Sequence, residues 1–210
     1  MKFHRLLPLL LAGAPAFAQD TLYQAAPPAN AAFVRVVNAL DGTPLTVTLA
    51  GQPFEAALAA HQVGAYHLVL QGSPLLALPA LHVSQTLNVA AGHFYTVALS
   101  GTRARAALSV LGDAQGPRVT QARLSFYNLS ASPASLLTSD GKVTLVQGLA
   151  ALGTHSLDVN PVNVQLRVEQ DGHTLTTLAP ARLQARSAYS VFVFAGSPAG
   201  AIWVPSSTRP

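Results

Sequence analysis

The chain has 210 residues, half of them hydrophobic and only 10% charged, with 12 Lys and Arg against 8 Asp and Glu. That length allows one or two ordinary domains. The charge content lies well below the roughly 25% of a typical soluble domain and argues against long surface helices, while the scattered basic residues lack the clustered footprint of a nucleic-acid binder.

In chain order, MKFHRLLPLLLAGAPAFAQD comes first. Lys2 and Arg5 precede a short apolar run, Leu6 to Ala12, and Ala16-Phe17-Ala18 forms an A-x-A site, so residues 1–18 read as a secretory signal peptide cut after Ala18. Loss of Lys2 and Arg5 leaves ten basic and eight acidic residues, a net charge of +2. There is no cysteine, which excludes disulfides and a cysteine-borne lipid anchor. Localisation in the periplasm follows as the expectation. Residues 19–32, rich in Ala and Pro, read as an extended arm.

Strands are expected next at Phe33 to Val37, Leu45 to Leu49, Ala65 to Leu70 and Phe94 to Leu99, the last in a hairpin with Leu108 to Leu111 through Gly101. LTVTL alternates cleanly, with Leu45, Val47 and Leu49 inward. FEAALAAHQ, residues 54–62, has the alanine content of a short helix. Residues 112–120, GDAQGPRVT, cluster Gly, Pro and polar residues and read as a linker. Beyond it, strands are expected at Arg123 to Tyr127, Val143 to Val146, Ser156 to Val159, Val162 to Val168 and Ser190 to Phe194, with a closing hairpin to Ile202–Val204. Val162, Val164, Leu166 and Val168 form the dry face of one continuous strand, and Asp171-Gly172 a turn.

The two halves echo each other. FVRVVN ends at Asn38 and RLSFYN at Asn128, 90 apart; Gly64 and Gly153 open similar strands 89 apart; Tyr95 and Tyr189 are 94 apart, as are Val110 and Val204. The predicted fold is all-β, with two tandem antiparallel, immunoglobulin-like β-sandwich domains at 33–111 and 121–207.

No constellation of catalytic residues stands out. Ser73 and Ser197 each follow a glycine but precede a proline, which offers no N–H to an oxyanion, and Ser139 precedes the Asp140-Gly141 turn. The six histidines after the signal form no H-x-H or H-E-x-x-H pair, and His67 and His155 read as wet-face strand residues. Asp41, Asp140 and Asp171 precede glycine in turns, Asp20 lies in the arm and Asp113 in the linker, leaving Glu55, Asp158 and Glu169. Tyr23, Phe54, Tyr66, Tyr127 and Trp203 are the aromatic candidates for sugar or protein contact. No metal or cofactor is expected.

Leu22-Tyr23 followed by Pro27, Phe33-Val34-Arg35-Val36 with Asn38, Asn128-Leu129-Ser130, Asp140-Gly141-Lys142, Asn160-Pro161-Val162 with Val164, and Trp203-Val204 occur in that order along nearly the whole chain. In this the chain resembles the AlgF family of periplasmic accessory proteins of alginate O-acetylation. The resemblance implies an exported two-sandwich protein without a catalytic motif. It also implies work alongside a membrane-bound O-acyltransferase and periplasmic acetyltransferase proteins, and contact with the polysaccharide. The chain is poorer in lysine and richer in Ala and Leu than the alginate type, which leaves cellulose as another polymer. Tyr23, Arg35 and Trp203 are the expected anchors for a partner or glycan. The contrasting expectations are an acetyl-carrying enzyme or esterase using a serine, and a free polysaccharide-binding module.

Overall fold

Apolar residues at a period of two, broken by Gly, Asp and Asn at the turns, leave strands as the way to bury side chains along most of this chain. The computed structural model describes residues 26–114, 116, 118–196 and 200–206; the signal segment and Tyr23 lie outside them. The first half holds β1 (Ala31–Asn38), β2 (Leu45–Leu49), β3 (Gln52–Leu58), β4 (Gln62–Val63), β5 (His67–Leu70), β6 (Leu75–Leu78), β7 (Val83–Thr86), β8 (Phe94–Thr102) and β9 (Arg105–Asp113). One sheet runs β4-β1-β8-β9, with β5 also on β1, and a second runs β3-β2-β6-β7.

The second half holds β10 (Ala122–Leu129), β11 (Ala134–Thr138), β12 (Thr144–Leu149), β13 (Gly153–Val159), β14 (Val162–Val164), β15 (Leu166–Gln170), β16 (His173–Thr177), β17 (Ala181–Leu183), β18 (Ala188–Phe194) and β19 (Gly200–Ser206). Its sheets are β13-β10-β18-β19 and β12-β11-β15-β16, with a two-stranded ribbon β14-β17.

Each half closes on its own core. Ala32, Val34 and Val36 of β1, with Val97 and Leu99 of β8, meet Leu45, Val47, Leu58, Leu76 and Leu78 of the facing sheet. In the second half Leu124, Phe126, Val191 and Val193 meet Leu136, Val146, Leu166 and Val168. A third core lies between the halves, where Val37, Ala39 and Ala98 pack on Tyr127, Leu129, Phe192 and Phe194. The inner strands β1, β8, β10 and β18 are therefore covered on both faces, which is why stretches such as VFVF are continuously apolar rather than alternating.

The sequence repeat reappears as matched local structure. The Asn38 amide donates to the Leu58 and Ala59 carbonyls and accepts the Leu40 N–H. Asn128 donates to the Ser132 and Leu149 carbonyls and accepts the Ser130 N–H. Tyr95 OH accepts the Ala90 N–H and Tyr189 OH the Gln184 N–H, both at 3.1 Å. Such a bond to backbone a few residues upstream is the tyrosine corner of immunoglobulin-like sandwiches.

Three expectations are corrected and one open reading is decided. The pairing is not antiparallel throughout: β1 with β8 and β10 with β18 are parallel, because the chain leaves the inner sheet for the outer one and returns between them, the long crossover that a parallel pair requires. Residues 54–62, whose alanine content left a short helix open, instead hold most of β3 and the start of β4, since pairing with β2 in a bulged register outweighs the weak local preference of alanine for helix. Val162–Val168 is not one strand. It breaks at Gln165, β14 joining β17 and β15 joining β11 and β16, so Val162 is exposed while Leu166 and Val168 are buried. Finally, β9 continues to Asp113, into the stretch expected to be linker.

Candidate functional site

β1 alternates between the first core and the junction of the two halves. Val34 and Val36 take the core face, so Arg35 is aimed at the junction, where only 2% of its surface stays exposed. A buried guanidinium needs partners for its N–H groups. Its Nε donates to Thr96 Oγ1 of the neighbouring β8 at 2.9 Å. Its Nη2 donates across the junction to Tyr127 OH on β10 and Ser190 Oγ on β18, each at 3.2 Å. The guanidinium carbon also lies 4.5 Å from the Tyr66 ring centre, 5.0 Å from Phe192 and 5.5 Å from Tyr127, within the range of cation–π attraction.

Asp113 supplies the opposite charge. Its carboxylate accepts from Tyr66 OH at 2.6 Å, from Tyr127 OH at 2.7 Å and from Thr96 Oγ1 at 2.8 and 2.9 Å. Arg35 and Asp113 thus share two hydroxyl groups, one in each half. Burial, reinforced by the Asp113 carboxylate, pushes the Tyr127 phenol up to about 12. Burial likewise raises that of Tyr66, with Arg35 opposing it. Both phenols therefore stay protonated at neutral pH and act as hydrogen-bond donors.

Beside the cluster is a niche of about 30 Å³ lined by Phe94, Arg123 and Ser125 among others, room for about one water molecule. Arg123 donates to Asp158 at 2.6 Å, a contact that holds the Asp158 carboxyl below its ordinary range. A wider groove of about 470 Å³ opens elsewhere, between β3 and β5, lined by Phe54, His67, Leu68 and Leu70. There His67 Nε2 lies 3.1 Å from Glu55 and Phe54 packs 4.7 Å from the His67 ring.

The three expected contact residues do not come together. Tyr23 lies outside the described residues. Arg35 is not a surface anchor, being enclosed by two sheets at the junction. Trp203, on β19 at the edge of its sheet, packs against the second core with its ring 5.6 Å from Tyr189. Among the other candidates, Ser73 donates to Asn88 Oδ1 and Ser197 lies outside the described residues. Among the described residues, no group of three or more His, Asp or Glu is placed to hold a metal ion, and no helix is long and apolar enough to cross a membrane.

Sequence reasoning missed Asp113, Thr96 and Ser190. The signal for Asp113 was present: Ser109, Leu111 and Asp113 continue the period-two alternation of β9, with the carboxylate on the junction face. The clustering of Gly, Pro and polar residues after it masked that continuation.

A family model described as "Alginate O-acetyl transferase AlgF" matches residues 6–190. The alginate biosynthesis protein AlgF of Pseudomonas syringae pv. tomato is 27% identical over 199 residues, covering 93% of this chain and 86% of that protein. That of Azotobacter vinelandii is 27% identical over 183 residues, covering 82% and 76%. Among solved structures, the C-terminal domain of AlgF from P. aeruginosa aligns with 41% of this chain and 98% of its own, at 25% identity and a TM-score of 0.38. With the family match spanning most of its length, the chain belongs to the AlgF family.

Proposed function

We propose that this protein is a non-catalytic periplasmic adaptor of exopolysaccharide O-acetylation, with alginate as the polymer that the relatives' names point to. Its two sandwiches act as domains that present surfaces to a membrane-bound O-acyltransferase and to periplasmic acetyltransferases, which carry out the chemistry.

The observation that carries the non-catalytic reading is how the polar side chains are used. Acyl transfer needs a nucleophile beside a base, donors for an oxyanion, and room for donor and acceptor. Here the hydroxyl groups at the junction bind Arg35 and Asp113 instead, around a niche of about 30 Å³. His67 pairs with Glu55 and Ser73 with Asn88, so neither contact joins a serine to a base.

Deletion of the gene tests the role. The expected result is polymer made at normal yield but unacetylated, restored by the wild-type gene; normal acetylation in the deletion strain refutes it. Intact-mass measurement of the purified protein after exposure to an activated acetyl donor tests the rest, and a stable acetyl adduct on a serine would show an enzyme instead.

A further inference from the structure

Two apolar sheet faces in contact can turn on one another, because hydrophobic association carries no direction. Most of the junction is of this kind, with Val37, Ala39 and Ala98 against Leu129, Phe192 and Phe194. At one end His61 of the first half stacks on Phe194 of the second, with ring centres 4.9 Å apart, again a contact that tolerates sliding. Arg35 at the other end is different. Its planar guanidinium has donors at fixed angles, one anchored on Thr96 of its own sheet and others committed to Tyr127 and Ser190, on two different strands of the opposite sheet.

The repeat adds an independent observation. Asn38 and Asn128 are equivalent, so the second-half counterpart of Arg35 is Ser125, and that of Thr96 is Ser190 by the Tyr95–Tyr189 spacing. The two related inner sheets face each other, yet at this repeat position only one carries a cation; the arginine on the same face of β10, Arg123, is paired with Asp158 instead. Ser125 bonds to Ser156 at 2.8 Å and lines the niche beside the cluster. The asymmetry is what one shared bolt between two similar plates requires.

We infer that Arg35 sets the angle between the two sandwiches, a positioning latch that makes the chain one rigid body with a fixed span between its outer sheets. The use of that span, holding surfaces of both halves in a set relation for partner enzymes, rests on the adaptor reading. Replacing a whole buried ionic group by apolar residues of similar size is often neutral, removing one member alone costs stability, and the best-attested role of such groups is to specify one arrangement. Arg35→Met lowers Tm but keeps the apolar cores, since Val34 and Val36 on the other face of β1 are untouched, and loses the set angle.

The absence of cysteine makes paired spin labelling direct. Ser84→Cys on β7 and Thr174→Cys on β16 place labels on exposed positions of the two outer sheets. In the otherwise wild-type full chain, one narrow distance distribution is expected. In Arg35→Met the narrow peak should shift or spread while far-ultraviolet circular dichroism is unchanged. An arginine that only stabilised the fold would lower Tm and leave the distance alone, so an unchanged narrow distribution in Arg35→Met overturns the inference. Tyr127→Phe combined with Ser190→Ala removes the second-half partners while leaving the cation, and serves if Arg35→Met fails to fold; a spread distribution supports the latch and an unchanged one sinks it. Acetylation in cells separates the two claims. Normal acetylation in a deletion strain refutes the adaptor reading without touching the distance result. Full acetylation by an Arg35→Met chain with a spread distribution refutes the use proposed for the fixed span.

Discussion

Replacing Asp113 with asparagine is the sharpest test of the junction cluster. The carboxylate accepts from three hydroxyl groups, Tyr66, Tyr127 and Thr96, at 2.6 to 2.9 Å. Hydrogen bonds to a charged acceptor contribute about 1.5–3 kcal/mol each, against about 1 kcal/mol for neutral pairs. An asparagine oxygen keeps some of these bonds at the neutral value, while its NH₂ turns donors toward groups that are already donating. Asp113 is only partly buried, so the lower end of the range applies, giving a net loss of about 3 kcal/mol. For a chain of this size that corresponds to a fall in Tm of about 10 °C. Calorimetry on Asp113→Asn, Tyr127→Phe and the double variant measures it. Because the Asp113–Tyr127 bond is counted in both single changes, the double variant should cost less than their sum by about 1 kcal/mol. A single variant that melts within about 2 °C of wild type, or strict additivity, would refute the view of these groups as one coupled network.

Asn38→Ala and Asn128→Ala each remove three bonds to backbone at equivalent places in the repeat, so each should cost about 3 kcal/mol in urea unfolding, Asn128→Ala the more because its Oδ1 also accepts the Ser130 hydroxyl. Because the folded state raises the Tyr127 phenol from 10.0 to about 12, its contribution to stability is complete below pH 10.0 and is lost as pH rises through about 12; phenolate absorbance should show this group ionising together with alkaline unfolding, not before it. Gly101 has φ +97 and an added Cβ would lie 2.4 Å from the Arg105 carbonyl oxygen, so Gly101→Ala should destabilise by at least about 2 kcal/mol. Gly112→Ala, where nothing lies within 4 Å, should stay within about 0.5 kcal/mol in the same denaturant series.

What the sequence revealed depended on which interaction decided each element. LTVTL and the β8–β9 and β18–β19 hairpins were readable because a half-buried strand writes its own alternation, and Asn38 and Asn128 marked equivalent turns through the repeat. Residues 52–58 were not readable, because their conformation is decided by a neighbour, β2, and not by local preference. Val162–Val168 kept its alternation through a change of sheet, so the pattern alone gave no sign of the break at Gln165. The junction was least visible. Arg35 in an apolar run looks the same whether it edges a core or bridges two sheets, and its partners Thr96, Tyr127 and Ser190 come together only through the packing of one half on the other.

The parallel pairing of β1 with β8 also governs the order in which the molecule can be assembled. Arg35 and Thr96 sit side by side in register, yet 61 positions separate them along the chain, and β10 must wait in the same way for β18. Contacts between such distant segments slow folding, since a long loop closes before any reward arrives. A growing polypeptide of this design finishes its outer sheets first, and has no finished inner sheet until nearly the whole of each half has been synthesised. A stop codon shortly before Ala188 would therefore remove β18 and β19 and leave β10 paired with β13 alone.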